Sequence, residues 1–190
     1  MSVHNVFVTN GASNHASFDR VDGDYYATDP ACVDALAKAY ELPYRIWECA
    51  CGGGHLSERL KELGHDVVST DIADRGYGER LDFLSEYTPK ADCILTNPPF
   101  HSATDFVAHA LEILPDNGIC AMFVRTLFLE GQERYKRIFS ITPPKYVFQF
   151  VRRAKCAPNG DFNLLKGSAS AYCWMLWDKS HNGDTIIKWI

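Results

Sequence analysis

The sequence has no apolar run that approaches the roughly 18 residues of a membrane-spanning helix, and it begins with a polar segment. That segment lacks the basic and apolar regions of a signal peptide. Internal repeats and low-complexity stretches are absent as well. With 190 residues, 46% of them apolar, the chain can bury one substantial core. We therefore expect a soluble, cytoplasmic protein with no membrane contact.

The cysteines lack the spacing of a structural metal site. There are seven, an odd number, and several lie in apolar, strand-like stretches, which favours reduced and buried thiols. Cys49 and Cys51 form a Cys-x-Cys pair without a matching second pair. We therefore expect no zinc site and no other bound metal.

The chain also lacks an overall excess of positive charge, because its formal net charge is −5. The charges are unevenly distributed, however: residues 1–124 contain 8 Lys and Arg against 19 Asp and Glu, whereas residues 125–190 contain 11 against 5. The basic part is compatible with a patch that faces phosphates, or with a solvated surface that has no partner. The candidate nucleic-acid contacts within it are Arg125, Arg152, Arg153 and Lys155.

Hydrophobic periodicity predicts alternating strands and helices. Strands are expected near residues 44–49, 66–70, 119–124, 146–151 and 171–177, with a further strand that contains Ile94 and Leu95 and ends at Asn97. Helices are expected near 29–42, 55–63, 104–114 and 130–139. A last run at 185–190 is either an edge strand or a tail. We predict an α/β fold with a single doubly wound, Rossmann-like sheet of seven mostly parallel strands, the last of them antiparallel. Residues 1–24 are expected to be a polar, partly mobile segment and residues 25–190 the domain.

The segment Asn97-Pro98-Pro99-Phe100 follows a buried strand and combines groups that suit a planar amine. Because proline cannot donate ladder hydrogen bonds, the chain must leave the sheet at Asn97, at the edge where open α/β sheets bind ligands. The Asn97 amide oxygen and the Pro98 carbonyl could both accept hydrogen bonds from one NH2 group. Phe100 offers a face on which a base could stack. The alternative is that the prolines merely end a strand and Phe100 fills the core.

A glycine-rich turn at residues 52–54 lies where the first strand turns into its helix, and its bare backbone leaves room for a ligand. Asp71 stands at the tip of the second strand, where a carboxylate can bind ribose hydroxyls. A dinucleotide would require a third glycine where Ser57 stands. The carboxylate of Glu48 suits a ligand with an ammonium and a sulfonium group better than a pyrophosphate, and S-adenosylmethionine carries both cations.

These motifs resemble those of class I S-adenosylmethionine-dependent amino-methyltransferases, and among them the small phage-type N6-adenine DNA methyltransferases. The resemblance runs from about residue 25 to residue 177, and its motifs are Glu48-x-Ala50-x-Gly52-x-Gly54, Asp71, Asp82-Phe83 and Asn97-Pro98-Pro99-Phe100. Residues 25–30 resemble the cofactor-contacting segment of that family, although Asp29 interrupts the usual Thr-Pro pair.

The resemblance implies a set of site residues. Glu48, Gly52 and Gly54 would line the methionine end of S-adenosylmethionine. Asp71 would contact the ribose, and Asp82 with Phe83 the adenine ring. The full set of implied cofactor contacts is Tyr26, Thr28, Glu48, Ala50, Gly52, Gly54, Asp71, Ile72, Asp82 and Phe83. The implied catalytic residues are Asn97, Pro98, Pro99 and Phe100, and the cofactor product would be S-adenosylhomocysteine.

The implied target is N6 of adenine in a nucleic acid, with DNA favoured over RNA. A base in a duplex would have to leave the stack to reach Phe100, and Tyr25 or Tyr26 with Phe162 could hold its other face. The polar stretch 152–170 is a candidate lid or nucleic-acid contact. Little chain remains for a separate target-recognition domain, so the sequence defines no recognition site.

Other functions share parts of this pattern. Methylation of RNA adenine or guanine and of protein glutamine uses the same amine chemistry. A non-catalytic nucleic-acid-binding or antirestriction module could retain the fold. A nicotinamide oxidoreductase is disfavoured by Ser57. The oligomeric state is not indicated by the sequence.

Overall fold

The computed structural model of the protein describes residues 26–158, 162 and 170–190. The strands and helices follow one another as β1 (Tyr26–Thr28), α1 (Ala31–Ala39), β2 (Arg45–Glu48), α2 (His55–Glu62), β3 (Asp66–Asp71), β4 (Glu79–Arg80), β5 (Cys93–Thr96), α3 (Ala103–Ile113), β6 (Ile119–Arg125), α4 (Gln132–Arg134), β7 (Tyr146–Gln149), β8 (Cys156–Pro158), β9 (Tyr172–Asp178) and β10 (Ile186–Trp189). Short 3-10 helices cover Phe83–Ser85 and Thr126–Leu129, and a π-helix at Tyr135–Phe139 continues α4.

The main sheet has eight described strands in the order β10-β7-β9-β6-β5-β2-β3-β4. Its strands pair in parallel except for β9, which runs antiparallel to both β6 and β7. The predicted α/β, Rossmann-like class is therefore confirmed. The strand beyond the expected seven is β4, which consists of Glu79 and Arg80 and has no apolar pattern to reveal it. The run at 185–190 forms the edge strand β10, so the antiparallel strand is the last but one in the chain.

Helices cover both faces of the sheet. One buried cluster joins α1 and α2 to one face, and a second joins α3 and the π-helix to the other. Two buried tryptophans satisfy their indole N–H groups inside these layers. Trp47 donates to Thr70 Oγ1 over 2.9 Å, and Trp174 donates to the Cys32 carbonyl over 2.8 Å. Buried polar groups that are paired in this way add specificity to an otherwise apolar core.

The ends of two helices follow the expected sequence signals. Asp29 Oδ1 accepts the N–H of Ala31 over 3.0 Å at the start of α1. After α2, Gly64 adopts φ +95° and donates to the Lys61 carbonyl over 2.9 Å. The predicted helix at 130–139 differs, because only Gln132–Arg134 is α-helical and the rest has π-helical hydrogen bonding.

A separate two-stranded ribbon was not foreseen from the sequence. Strand β1 pairs antiparallel with β8, with Thr28 opposite Cys156. The pairing joins parts of the chain that lie far apart in sequence. It also places Tyr26 above the carboxyl ends of the main strands, where Asn97 Nδ2 donates to the Tyr26 carbonyl over 2.9 Å.

All seven cysteines are buried and none forms a disulfide. Burial raises the pKa of the Cys93 thiol to about 12, so this thiol stays protonated at neutral pH. Within the described ranges, no three His, Cys, Asp or Glu side chains cluster in a way that could hold a metal ion. No helix in the described part of the chain has the length and apolarity needed to span a membrane.

Candidate active site

A cavity of about 380 Å³ opens at the carboxyl ends of β2, β3 and β5. This volume is in the range of small-molecule sites. Most of the site residues expected from the sequence line it together: Tyr26, Thr28, Glu48, Ala50, Asp71, Ile72, Asp82, Phe83, Asn97, Pro98, Pro99 and Phe100. Parallel strands end at a common edge, which explains why motifs that are distant in sequence meet there.

Asn97, which lines this cavity, has an unused hydrogen-bond acceptor. Its Nδ2 donates to the Tyr26 carbonyl over 2.9 Å, which fixes the orientation of the amide because only the NH2 group can donate. The other end, Oδ1, is buried and has no hydrogen-bond partner among the described residues. An unsatisfied buried acceptor costs about 1–3 kcal/mol. The site is therefore suited to a ligand that brings an N–H or O–H donor to this oxygen.

Phe100 lies beside aromatic and cationic neighbours. Its ring stacks with Tyr26 at a centroid distance of 5.9 Å and an interplanar angle of 28°. The guanidinium carbon of Arg125 lies 4.4 Å from the centre of the Phe100 ring. Tyr172 packs nearby at 6.3 Å, and burial raises the pKa of its phenol. Phe100 and Tyr26 therefore form an aromatic pair with a positive charge beside it.

Asp71 is held rigidly at the tip of β3. Its Oδ2 accepts the N–H of Gly52 over 2.8 Å, and its Oδ1 accepts the N–H of Ala73 over 2.9 Å. Each carboxylate oxygen keeps a further lone pair for ligand donors such as hydroxyl groups. The next residue, Ile72, is 62% exposed and lines the same cavity. At this point of the cavity Asp71 therefore offers hydrogen-bond acceptors, and Ile72 beside it offers an apolar surface.

Glu48 is almost completely buried, with 1% of its surface exposed. The Ser57 hydroxyl donates to its Oε2, and Ser57 Oγ lies 2.6 Å from Ser69 Oγ. Burial raises the pKa of Glu48 to about 8, against the opposing effect of the Ser57 hydrogen bonds. The carboxyl is therefore largely protonated at neutral pH, and a neighbouring cation would favour its ionised form.

The contact between Ser57 and Glu48 was missed from the sequence. In the sequence, Ser57 only disfavours dinucleotide binding, because it stands where a third glycine would be needed. The structure gives it a positive role, since its side chain is fully buried and bonded to Glu48. The available signal was a small hydroxyl residue on the inward side of α2, between Leu56 and Leu60.

Asp82 and Phe83 line the cavity and also have structural roles. Asp82 caps a 3-10 turn, with Oδ1 accepting the N–H of Leu84 over 3.1 Å and Oδ2 accepting the Ser85 hydroxyl over 2.8 Å. Phe83 is 2% exposed and packs edge to face on Trp47 at 5.2 Å. These residues therefore form a firm wall for the cavity.

The turn glycines are positioned differently from the expectation that they line the ligand. Neither Gly52 nor Gly54 is among the described residues that line the cavity. Gly52 has φ +54° and binds Asp71 through its N–H. Gly54 has φ +84°, and a Cβ atom there would lie 2.6 Å from the ring of Tyr77. Their contribution is the shape of the turn and its close packing.

We expect Gly54→Ala to destabilise the protein more than Gly76→Ala. Both glycines have positive φ, +84° and +76°, so each alanine bears the left-handed penalty of roughly 1–2 kcal/mol. Only the Cβ at position 54 also meets the Tyr77 ring, whereas nothing lies within 4 Å at position 76. Urea unfolding of both variants measures the difference. Equal losses would show that Tyr77 moves away freely.

The remaining basic candidates lie elsewhere. Arg152, Arg153 and Lys155 line a second cavity beside the start of α1, together with Asp29. They therefore do not join Arg125 at Phe100. Phe162 packs edge to face on His55, which lines the first cavity, at 5.6 Å. Tyr25 and most of the candidate lid, at 159–161 and 163–169, lie outside the described residues.

No family model matches the chain, and no curated protein matches it. Several solved structures are similar to it, however. A proposed RNA methyltransferase from Pyrococcus horikoshii is 15% identical with a TM-score of 0.61, over 94% of this chain and 98% of that one. The ribosomal protein L11 methylase from Lactobacillus delbrueckii subsp. bulgaricus is 16% identical with a TM-score of 0.53, over 79% and 77%.

A third similar structure is a proposed class I S-adenosylmethionine-dependent methyltransferase from Listeria monocytogenes, 12% identical with a TM-score of 0.58. The match covers 83% of this chain and 62% of that protein. Similarities at identities this low concern the fold alone. The chain has the fold of the class I S-adenosylmethionine-dependent methyltransferases.

Proposed function

We propose that the protein is an S-adenosylmethionine-dependent methyltransferase that acts on an exocyclic amine, N6 of adenine in DNA, and that this activity belongs to residues 25–190. The observation that carries the proposal is the buried, unpartnered Oδ1 of Asn97, a residue that lines the same cavity as Asp71. An amine that donates one N–H to this oxygen would satisfy it.

S-adenosylmethionine is the cofactor that the fold implies, and it supplies a methyl group activated by a sulfonium. The cavity residues fit this molecule. The pinned carboxylate of Asp71 would hold ribose hydroxyls, and the exposed side chain of Ile72 would lie against the adenine ring. Glu48 offers a carboxyl group, buried beside Ser57, toward the cationic end.

The residues after β5 would prepare the amine for attack. An amine conjugated to a purine is a poor nucleophile because its lone pair is delocalised into the ring. Hydrogen bonds from its two N–H groups to Asn97 Oδ1 and the Pro98 carbonyl would favour a pyramidal nitrogen. Holding that nitrogen in a fixed direction supplies most of the rate enhancement in this scheme.

The surroundings of Phe100 support a base as the group that carries the amine. Phe100 stacks with Tyr26 and is covered by the Arg125 guanidinium at 4.4 Å. A base flipped out of a duplex needs an aromatic surface of this kind. The exposed Arg125 guanidinium could also bind a backbone phosphate. The choice of DNA over RNA rests on the resemblance of the Asn97–Phe100 motif.

One experiment tests the proposal directly. The protein is incubated with S-adenosylmethionine labelled in the methyl group and with DNA, RNA and protein side by side, and the methylated nucleoside or residue is then identified. We expect labelled N6-methyladenine in nuclease digests of DNA. Label confined to RNA or to protein would refute the target, and no label in any polymer would refute the activity.

We expect Arg125→Ala to raise the KM for a nucleic-acid substrate about two- to fivefold, because it removes an exposed positive charge beside the Phe100 ring, where such a contact is worth about 0.5–1 kcal/mol. Binding of S-adenosylhomocysteine should not change. Arg134→Ala is a comparable control, since its guanidinium lies 4.9 Å from the ring of Phe128, which does not line the cavity as Phe100 does. Steady-state kinetics compares the variants. An equal effect of both would argue against a substrate contact by Arg125.

A further inference from the structure

Strand β10 forms an exposed edge of the main sheet. On one side it pairs in parallel with β7, and no described strand pairs with its other side. Ile186, Ile187 and Trp189 are 46%, 52% and 70% exposed, so three of its four residues present large apolar side chains to solvent. An exposed apolar edge is a template for another strand.

The backbone of β10 is oriented to bind such a strand. The N–H of Ile186 donates to the Lys145 carbonyl over 3.0 Å, and the N–H of Ile190 donates to the Gln149 carbonyl over 2.9 Å. Because backbone groups alternate in direction along a strand, the N–H and C=O of Ile187 point away from β7. The open edge is therefore centred on residue 187.

The opposite edge of the sheet is built differently. It is formed by β4, which has two residues, Glu79 and Arg80, both charged and exposed. Short charged edges discourage pairing with other chains. Strand β10 is longer and mostly apolar, so it lacks the protection by charge that β4 has, and no strand of the described residues covers it.

We propose that two copies of this chain associate through β10, with their strands antiparallel about a two-fold axis at Ile186. In this register Thr185 of one copy lies opposite Ile187 of the other. Ile187 directs its backbone groups to the open edge, and Thr185 would do the same if β10 extends by one residue on pairing, so the two could exchange the two hydrogen bonds of an antiparallel pair. The partner is thus a second copy of the same surface.

Charge complementarity selects this register. It places Asp184 of each copy opposite Lys188 of the other, which gives two opposite-charge pairs across the axis. Asp184 forms no ion pair with any described residue. Lys188 is exposed, with its Nζ 4.3 Å from the centre of the Tyr146 ring. Sliding the pairing by two residues would place Lys188 opposite Ile186 and lose both charge pairs.

Sedimentation equilibrium of the full chain tests the proposal. We expect a dimer of twice the 21.4 kDa chain mass. Asp184→Lys or Lys188→Asp alone should weaken self-association by about tenfold or more, because each creates like-charge pairs. The double variant should restore it. Asp116→Lys changes an exposed carboxylate in a distant turn and is the matched control.

Cross-linking tests the register independently. With an added oxidant, Ile186→Cys should form a disulfide-linked dimer, since facing residues of a non-hydrogen-bonded antiparallel pair are about 4.5 Å apart at Cα, within the range of a disulfide. Ile187→Cys is similarly exposed but lies opposite Thr185, so it should cross-link poorly. The seven native cysteines are buried and should not interfere.

Circular dichroism would first verify that each variant is folded. A chain that remains monomeric at all accessible concentrations overturns the proposal, whether the edge is left bare or is covered by another part of the same chain. A dimer that is insensitive to both charge reversals, or that cross-links equally through positions 186 and 187, also overturns it. None of these outcomes depends on methyltransferase activity.

Discussion

Asn97→Ala is expected to lower kcat for methyl transfer by about 100- to 1000-fold, the size of effect seen when one preorganised polar contact to the reacting group is removed. The reason is geometric. Asn97 Oδ1 is the buried acceptor that would orient the amine, and it is held in place by the bond from Nδ2 to the Tyr26 carbonyl. The measurement is single-turnover methylation with labelled S-adenosylmethionine.

Two controls separate this role from a structural one. Binding of S-adenosylhomocysteine by calorimetry should be nearly unchanged in Asn97→Ala, because the cavity wall at Asp71 and Ile72 is untouched. Asn97→Asp keeps an acceptor oxygen but loses the donor to the Tyr26 carbonyl, so it should retain more activity than the alanine variant.

If Asn97→Ala kept more than a tenth of the wild-type kcat, the amine-orienting role would have to be abandoned. If both substitutions abolished cofactor binding, the effect would be on folding. Asn117→Ala, at an exposed turn, should behave as the wild type in every assay and guards against a general effect of losing an asparagine.

The sequence predicts those parts of the site that lie at the ends of strands. Asn97 and Asp71 both follow buried strands, and parallel strands deliver their carboxyl ends to one edge, so their meeting could be foreseen. Apolar periodicity likewise located the buried faces of the helices, because helix burial follows a regular 3.6-residue repeat.

Contacts between distant or weakly patterned segments could not be foreseen. The bond from Asn97 to Tyr26 depends on the pairing of β1 with β8, and no local pattern specifies which strands of a ribbon will meet. Strand β4 has only two residues, both charged, and so carries no periodic signal. The positions of these segments follow from tertiary packing alone.

The glycine turn shows why a motif can be recognised while its contacts are misassigned. A run of glycines is compatible with ligand approach and equally with tight backbone packing, since both need a missing Cβ. The Tyr77 ring that fills the space beside Gly54 comes from a loop after β3. Nothing in the turn itself indicates that neighbour.

Glu48→Gln is expected to make the unliganded protein more stable at pH 8.5 than the wild type, by about 4 kcal/mol. Burial raises the pKa of Glu48 from 4.5 to about 8. Between these values the folded state keeps a proton that the unfolded state has lost, so wild-type stability falls as pH rises through this window and levels off above it. Each pH unit of that window is worth up to about 1.4 kcal/mol.

Glutamine cannot ionise, yet its amide oxygen can still accept the Ser57 hydroxyl. The variant should therefore lack the stability slope between pH 5 and pH 8 and match the wild type near pH 5. Another carboxyl group, that of Glu86, adds no slope in this pH range, because the backbone N–H of Thr88 lowers its pKa. Urea unfolding at pH 5, 6.5 and 8.5 measures the slopes. Glu112→Gln, an exposed change, should leave the wild-type slope unaltered.

The proton on the Glu48 carboxyl group links the stability of the protein to cofactor binding. A cation that binds beside Glu48 favours its ionised form, so cofactor binding below pH 8 should release a proton from the wild type and none from this site in Glu48→Gln. Calorimetry in buffers of different ionisation enthalpy counts that proton. A wild-type protein that is equally stable at pH 5 and pH 8.5 would show that Glu48 is already ionised in the fold, and its carboxylate would then be a permanent negative charge in the cavity wall.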